Sequence, residues 1–407
     1  MSLNYLYHSV ECDAVNNNGY TEFDTLDFSL DFSNRAMIAG TIRLEGELEV
    51  RGTGTAAVLP GARITCDHMI GAHVLVQSCV SQTLNAGVIE NITNLPRLAK
   101  MKTSATECEN DMLNAKYVCE LRSPDAKVQE KVIKPRQPQD IGGGGTGVAD
   151  NTAHIGSGFG LFNNYNAGGG VFEANAQSRE LPDFSFKPQI VFNTPISQSN
   201  QINYSTTGTI KLSFNLARVS EALYGADMVS GSSYIIRNPR VCFVSVPEPA
   251  KQAPVSLRSS VCLKSNINSQ LSNTSNRVPS ICDSCSISFM ELSRENSLFF
   301  NNTELETLPN VDALRFMFND STNKYITYEL KNTPEIVAEG LKALANGTGS
   351  HNVRLDKLYA NKGYIAGLKF GEAVDLSKQK FNIQVQSGVS NTNPFCMWAY
   401  FHSVVSF

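Results

Sequence analysis

Residues 42–50 read IRLEGELEV, in which apolar and charged side chains alternate around a single glycine. The four apolar side chains share one face of an extended chain: Ile42, Leu44, Leu48 and Val50. Arg43 and three glutamates occupy the opposite face. Because successive side chains of a strand point to opposite faces of its sheet, the stretch predicts a half-buried β-strand.

The two-residue period recurs at 209–216 (TIKLSFNL) and 381–386 (FNIQVQ). Three other runs are apolar on both faces and predict central strands: HVLVQSCV at 73–80, VCFVSV at 241–246 and FCMWAYFHSVVSF at 395–407. Further strand candidates cover seven ranges: 62–66, 186–192, 255–263, 285–292, 313–318, 325–330 and 363–370. Many short strands between turn-rich Gly, Asn, Ser and Pro clusters predict a β-sandwich or barrel rather than βαβ units.

Helical patterns are few and short. Residues 332–347 have Thr333 at the N-cap position, Pro334 in the first turn and an apolar stripe that ends before Gly347. Two other helix candidates cover 104–115 and 219–224. We expect these helices to be insertions in the loops of an all-β chain.

A Pro-rich, polar stretch at 247–254 (PEPAKQAP) divides the chain, and each side has enough strand candidates for an eight-stranded sandwich. No sequence repeat is visible between the two sides. We therefore predict an N-terminal segment at 1–34, a first sandwich at 35–248 and a second sandwich at 249–407.

A second change in composition lies inside the predicted first sandwich. Residues 134–170 are rich in Pro and then in Gly and Asn, with little apolar periodicity. We predict a long loop at about 134–182. The stretch from Gly142 to Gly170 is either a linker or an arm that wraps a neighbouring subunit.

The 407-residue chain has 34 basic and 38 acidic residues, and only 18% of its residues are charged. A charge content this low fits a surface that is partly covered by neighbouring molecules. The first fifty residues contain nine acids and two bases, which excludes a basic arm that neutralises phosphates. We therefore expect no direct, sequence-specific binding of nucleic acid.

The chain shows neither a secretion signal at its start nor an apolar run as long as a transmembrane helix. We therefore expect a protein made in a reducing compartment, with its ten cysteines as free thiols. Six Asn-X-Ser/Thr sequons occur, and in an Asn-rich chain without a secretion signal they are expected by chance.

Two motifs for cofactors or metals are weak. GGGGTG at 142–147 matches the letters of a dinucleotide fingerprint, but that motif needs a strand before it and a helix after it. Cys282 and Cys285 form a lone CxxC without the second pair or nearby histidines that a zinc site needs. We interpret both cysteines as structural and expect no dinucleotide site.

The titratable side chains give no clearer signal. The six histidines lack the spacing of metal ligands: His8, His68, His73, His154, His351 and His402. His68 and His73 could meet across a bend, but core or surface roles are the simpler interpretation. The carboxylate pairs Glu304/Glu306 and Asp24/Asp27 are of a kind common in loops. We therefore expect no enzyme, and we assign no catalytic, cofactor-binding or metal-binding residue.

Four blocks that follow the strand at 42–50 resemble a known family. They are GAHVLVQSCVSQTLNAGVIENITNLPRLAKMKTSA (71–105), SNTSNRVPSICDSCS (272–286), FNDSTNKYITYEL (318–330) and LKFGEAVDLSKQKFNIQVQS (368–387). In order and character they resemble the double jelly-roll major capsid proteins of small double-stranded DNA viruses, the polinton-like viruses and their virophage relatives. The resemblance extends over residues 35–407.

The resemblance implies an all-β chain of two eight-stranded jelly-roll sandwiches in tandem, with a few short helices in loops. It implies a structural protein of the virion, assembled inside the host cell without catalysis or cofactors. Three chains are expected to form a pseudo-hexagonal capsomer. Such capsomers tile an icosahedral shell beside penton and minor capsid proteins.

Two other functions stay open. A penton or minor capsid protein would join one jelly roll to an unlike second domain and form pentamers, and two comparable sets of strands disfavour it. A carbohydrate-binding β-sandwich protein would expose aromatic side chains for stacking and carry a carboxylate pair. The single tryptophan of this chain, Trp398, lies instead inside an apolar run.

Overall fold

The structure is a computed structural model. It describes residues 4–52, 64, 66–67, 69–106, 120–122, 183–188, 201–225, 228–249, 256–268, 270–308, 311–320, 322–345, 363–387 and 393–406. Within these ranges the chain is built mainly of antiparallel β-strands.

Ten strands precede residue 248: β1 Leu6–Glu11, β2 Thr25–Leu30, β3 Arg35–Ile38, β4 Arg43–Arg51, β5 Val76–Thr83, β6 Gly87–Thr93, β7 Asp183–Phe186, β8 Gln201–Asn203, β9 Ile210–Leu216 and β10 Ser233–Pro247. Eight follow residue 255: β11 Ser256–Ile267, β12 Leu271–Asn276, β13 Ile281–Glu291, β14 Val311–Asn319, β15 Tyr325–Leu330, β16 Ala366–Asp375, β17 Phe381–Ser387 and β18 Phe395–Ser406. The described helices are α1 Leu95–Thr106, α2 Tyr204–Thr207, α3 Val219–Ala222 and α4 Thr333–Ala345.

The strands form four sheets, two from each part of the chain. Sheet 1 has the order β7-β4-β10-β3-β8, with β1 paired to the other side of β10, and sheet 2 has the order β2-β9-β5-β6. Sheet 3 has the order β11-β18-β13-β16, and sheet 4 has the order β12-β17-β14-β15. The described strands of each sheet therefore come from one side of residues 247–256.

The two sandwiches have the same topology. Numbered 1 to 8 along the chain, the strands of sheets 3 and 4 have the orders 1-8-3-6 and 2-7-4-5. When the two short strands β3 and β8 are set aside, sheets 1 and 2 have these same orders. Each sandwich also has its longest described helix, α1 or α4, directly after its fifth strand. Two packed sheets with this connectivity repeated in tandem make the fold a double jelly roll, as predicted.

Aromatic side chains fill the space between the sheets of each sandwich. In the second sandwich, Phe381 of β17 meets Phe401 of β18 at 5.1 Å between ring centroids, and Phe318 of β14 meets Phe370 of β16 at 5.0 Å. In the first, Phe32 after β2 meets Phe243 of β10 at 6.0 Å. Because each phenylalanine removes about 150–250 Å² from water, such contacts dominate the burial that holds the sheets together.

Several strand predictions are confirmed in both range and face. The strand predicted at 42–50 is β4, and its predicted apolar face is buried. The alternating runs at 209–216 and 381–386 are β9 and β17. The C-terminal run is β18, which lies between β11 and β13. Its residues are apolar on both faces because one face packs on sheet 4 and the other on the first sandwich.

Other predicted ranges differ from the structure. The strand predicted at 73–80 begins at Val76, because Gly71–Leu75 form a 3₁₀ turn. Of the helix predicted at 104–115, only residues 104–106 are described, and they form the end of α1, which begins earlier, at Leu95. The helices predicted at 332–347 and 219–224 are present as α4 and α3.

The predicted N-terminal segment contains two strands of the first sandwich. β1 pairs with β10 in sheet 1, and β2 pairs with β9 in sheet 2. The predicted loop at 134–182 lies outside the described residues, as does GGGGTG at 142–147. Of the predicted strands at 62–66 and 186–192, only residues 64, 66 and 186–188 are described.

Candidate assembly surfaces

Helix α1 joins the two sandwiches through a buried arginine. Arg97 donates from Nη1 to the carbonyl oxygen of Glu304 at 2.9 Å, and from Nη2 to that of Asn302. Its guanidinium group also lies over the ring of Trp398 on β18. Burial lowers the pKa of Arg97, but the group remains the cation of this contact because arginine titrates far above neutral pH. A charge of the first sandwich is therefore satisfied by groups of the second.

A second buried charge lies near the same junction. The Asp67 carboxylate accepts from Lys100 Nζ at 2.6 Å, Asn301 Nδ2 at 2.6 Å and Thr303 Oγ1 at 2.7 Å. It also accepts from two backbone N–H groups, those of Met69 and the next residue. Asp67 and Lys100 belong to the first sandwich, whereas Asn301 and Thr303 belong to a loop of the second. The carboxylate thus holds three segments of chain at one point.

A third contact joins the edges of the two sandwiches. β6, the fifth strand of the first sandwich, lies along β11, the first strand of the second. Asn94, at the end of β6, has its Nδ2 3.8 Å from the Sγ of Cys262 on β11. The hydroxyl of Tyr400 on β18 donates to the carbonyl oxygen of Asn94 at 2.7 Å. The junction therefore includes α1, the loop that carries Asn301 and Thr303, and this pair of strand edges.

The predicted candidate residues for chemistry have structural roles where the structure describes them. His402 lies in the core, with Nδ1 2.8 Å from Ser260 Oγ and Nε2 2.7 Å from Ser286 Oγ. Burial and two nearby cations hold the pKa of His402 well below its usual value. His73 is buried as well, and burial lowers its pKa to about 3. His68, His154 and His351 lie outside the described ranges.

The carboxylate pairs also take part in packing. Glu306 accepts from Arg294 Nη1 at 2.6 Å and from the backbone N–H of Glu291 at 2.7 Å. Asp24 accepts from the backbone N–H of Thr21, so it stabilises a turn. These contacts give both carboxylates a structural role.

The described cysteines are free thiols, and seven of the eight are buried. Cys282 and Cys285 both lie on β13, and burial raises the pKa of Cys282 to about 11. Since the thiolate is the nucleophile and the metal ligand, thiols of this kind are inert. Within the part of the chain that the structure describes, no group of three or more His, Cys, Asp and Glu side chains could hold a metal ion.

The outward face of β4 is less acidic than its sequence indicates. Arg240 of β10 donates to Glu45 at 3.0 Å, and Arg237 donates to Glu49 at 2.6 Å. Neither arginine is close to these glutamates in sequence, so the local pattern could not reveal the pairing. The exposed ion pairs leave a mixed surface rather than a continuous acidic one.

Two edge strands, one in each sandwich, expose tyrosines. Tyr7 on β1 and Tyr5 just before it are 62% and 59% exposed. Tyr325 at the start of β15 is 60% exposed, and Tyr328 is also exposed. Large exposed apolar groups that cluster on a sheet edge are typical of protein–protein contacts.

No helix in the described ranges has both the length and the apolar character that crossing a bilayer requires. No protein-family model matches the sequence, and no curated protein matches it either. Comparison with known proteins therefore rests on structure.

Several solved structures match nearly the whole chain, and three of them are described below. The Faustovirus major capsid protein has a TM-score of 0.54 and 9% identity, over 100% of this chain and 90% of that chain. PBCV-1 VP54, as fitted into a reconstruction of the virophage Sputnik, has a TM-score of 0.55 and 10% identity, over 100% and 95%. A chain of the Sputnik virophage itself has a TM-score of 0.50 and 9% identity, over 99% and 86%.

These neighbours are structural capsid proteins. Similarity at such low identity reports on the fold, and here it extends over both sandwiches. It agrees with the repeated strand order derived from the sheets. The chain therefore has the double jelly-roll fold of the viral major capsid proteins.

Proposed function

We propose that this chain is a viral major capsid protein and that three copies of it form a pseudo-hexagonal capsomer. The repeated topology of the two sandwiches carries this proposal. Because one chain supplies two similar units, a threefold ring of chains presents six similar units around its axis. Such capsomers would tile an icosahedral shell in the virion.

The junction between the sandwiches supports a structural role. A capsomer needs both sandwiches to keep one relative orientation, since each makes different contacts in the shell. The buried Arg97 guanidinium has its carbonyl acceptors in the loop of the second sandwich, and the Asp67 carboxylate accepts two further hydrogen bonds from the same loop. Moving one sandwich would leave the Arg97 charge without these partners at a cost of several kcal/mol.

The proposed partners are other copies of this chain, together with penton and minor capsid proteins. The arginine-paired glutamates of β4 do not form a phosphate-binding surface, so direct, sequence-specific binding of DNA is not part of the proposal. We include no enzymatic activity, because the candidate residues His73, His402 and Glu306 have buried structural positions. Two sandwiches of equal topology also favour a capsomer over a vertex protein with a single jelly roll.

The proposed division places the first jelly roll within 35–248 and the second within 249–407. β10 ends at Pro247 and β11 begins at Ser256, in agreement with a boundary between them. Within the segment 1–34, however, β1 and β2 are the first two of the eight strands that the two sandwiches share, so the first jelly roll begins before residue 35.

The native mass of the purified protein tests the proposal. A chain of 44.4 kDa should give a trimer close to three times that mass. Electron microscopy of concentrated trimers should then show hexagonal particles or shells. A pentamer would favour the vertex protein, and a stable monomer would overturn the capsomer.

A further inference from the structure

We infer that the capsomer ring is closed by β15 of one copy lying along β1 of the next copy. This repeats between chains the contact that β6 and β11 make within each chain. The inference rests on the proposed trimer and specifies which edges of the chain form it.

The strand order makes the two contacts equivalent. β6 and β15 are the fifth strands of their sandwiches, and each lies at the edge of its sheet directly before a helix. β11 and β1 are the first strands, and each lies at an edge of its sheet. Within the chain, the fifth strand of the first sandwich lies along the first strand of the second. The remaining fifth and first strands are β15 and β1.

Both of these strands have an open edge in the single chain. Among the described strands, β15 pairs only with β14, and β1 pairs only with β10. Natural edge strands are protected from pairing by lysine, proline or bulges. The sequences LYHSVE of β1 and YITYEL of β15 contain neither lysine nor proline.

The side chains at these edges fit a buried contact. Tyr7 on β1 and Tyr325 on β15 are each more than half exposed in the single chain. Thr327, on the same outward face of β15 as Tyr325, is exposed as well. Tyrosine is enriched at interfaces because its ring buries apolar area while its hydroxyl keeps a polar partner.

The distribution of charge selects the same pairing. Residues 1–248 contain 19 bases and 25 acids, whereas residues 249–407 contain 15 bases and 13 acids. Contact between the first sandwich of one copy and the second sandwich of the next brings opposite net charges together. Contact between two first sandwiches would bring like charges together. A head-to-tail contact of this kind closes into a ring, which leaves neither edge open.

Cysteine cross-linking with a short bis-maleimide tests the contact. The test variant is the full chain with both Tyr7→Cys and Thr327→Cys. The matched control has Leu84→Cys with Thr327→Cys, because Leu84 is exposed but lies at the tip of the β5–β6 hairpin, away from β1. The first pair should give covalent trimers and the control pair none. A mixture of the two single variants, Tyr7→Cys and Thr327→Cys, should give dimers but no covalent trimers.

A second measurement keeps the outcome independent of cross-linking geometry. Tyr7→Ser with Tyr325→Ser should raise the concentration at which trimers dissociate by about tenfold or more. Leu84→Ser with Leu271→Ser, on exposed residues outside the two edges, should leave it unchanged.

The failures of the two proposals are distinguishable. Three results together overturn the β15–β1 contact alone. The unmodified chain is trimeric, the tyrosine variant dissociates at the same concentration as the unmodified chain, and the cysteine pair gives no cross-link. Cross-links from either single variant on its own also overturn it, because they indicate a symmetric contact. An unmodified chain that stays monomeric overturns both proposals.

Discussion

The guanidinium carbon of Arg97 lies 3.8 Å from the centroid of the Trp398 ring. Arg97 belongs to helix α1 of the first sandwich, and Trp398 belongs to the central strand β18 of the second. Both side chains are almost completely buried. Because a cation over an aromatic face gains most when water is excluded, this contact is a strong link between the sandwiches.

Replacing Arg97 with methionine should therefore destabilise the protein. The change removes a desolvated cation–π contact and leaves the carbonyl oxygens of Asn302 and Glu304 without their donor. We expect a loss of about 3 kcal/mol in the free energy of unfolding, measured by urea denaturation. Arg218→Met is the control, because the Arg218 guanidinium lies 5.3 Å from the centroid of the exposed Phe23 ring and should cost less than about 1 kcal/mol. Equal losses in the two variants would contradict the role given to Arg97.

Replacing Asp67 with asparagine should be more harmful than removing the whole ion pair. Asp67→Asn leaves the buried ammonium of Lys100 without its counter-charge, at a cost of about 3–5 kcal/mol. In the double variant Asp67→Asn/Lys100→Met no charge is buried, so we expect part of that loss to return. Both are measured by urea denaturation beside Lys378→Met, which breaks the exposed pair with Asp375 and should leave the stability nearly unchanged. A double variant less stable than Asp67→Asn would show that the unpaired charge is not the cause.

The strands with one buried face could be predicted from the sequence. In β4 and β17 every second side chain is buried between sheets, so the physical environment alternates with the same period as the residue types. β1 could not be found in this way. Its side chains are exposed or only half-buried, and it exists because its backbone pairs with β10, more than 200 positions away in the chain.

The part of helix α1 before residue 104 was not predicted, because the helix buries charged side chains beside apolar ones. Arg97 and Lys100 are buried together with Leu95, Leu98 and Met101. The partners that make the burial of the two charges favourable are distant in sequence: Glu304 is 207 positions from Arg97, and Asp67 is 33 positions from Lys100. A local window contains no sign of them.

The two proposed assembly edges, β1 and β15, could not be identified from the sequence for a related reason. Tyr234 and Tyr400 are fully buried, whereas Tyr7 and Tyr325 are exposed. The residue type is the same, and only the sheet order decides which tyrosine faces solvent.

Acid should destabilise the protein in part through His402. Its folded-state pKa lies well below 6.5, so as the pH falls below 6.5 the unfolded chain binds a proton that the folded chain does not. Stability present above pH 6.5 is then lost by about 1.4 kcal/mol per pH unit for this group. His402→Gln removes the site that binds the proton. Between pH 6.5 and 5 this variant should therefore lose less unfolding free energy than the unmodified protein, by about 1.4 kcal/mol per pH unit. His8→Gln, at a less buried histidine, should change the slope less, and equal slopes for the unmodified protein and His402→Gln would rule out this account.

Replacing Gly340 with alanine should destabilise helix α4 although alanine favours helices. A Cβ built at Gly340 would lie 2.4 Å from the carbonyl oxygen of Ile365, the residue directly before β16. That atom belongs to the backbone and cannot rotate away, so the helix must move off the sheet. Alanine gains up to about 1 kcal/mol of helix propensity, whereas overpacking costs about 1–3 kcal/mol. We therefore expect a net loss of unfolding free energy in urea.

Gly371→Ala is the matched control for this prediction. Gly371 lies on β16, the strand against which α4 packs, but a Cβ built at Gly371 would have no heavy atom within 4 Å. Its replacement should leave the stability nearly unchanged. Because α4 also contacts α1, displacement of α4 should loosen the junction as well, so Gly340→Ala should increase hydrogen exchange of the α1 amides whereas Gly371→Ala should not. A Gly340→Ala variant as stable as the unmodified chain would show that α4 can shift away from β16 without cost, and the close approach would then not hold the helix in place.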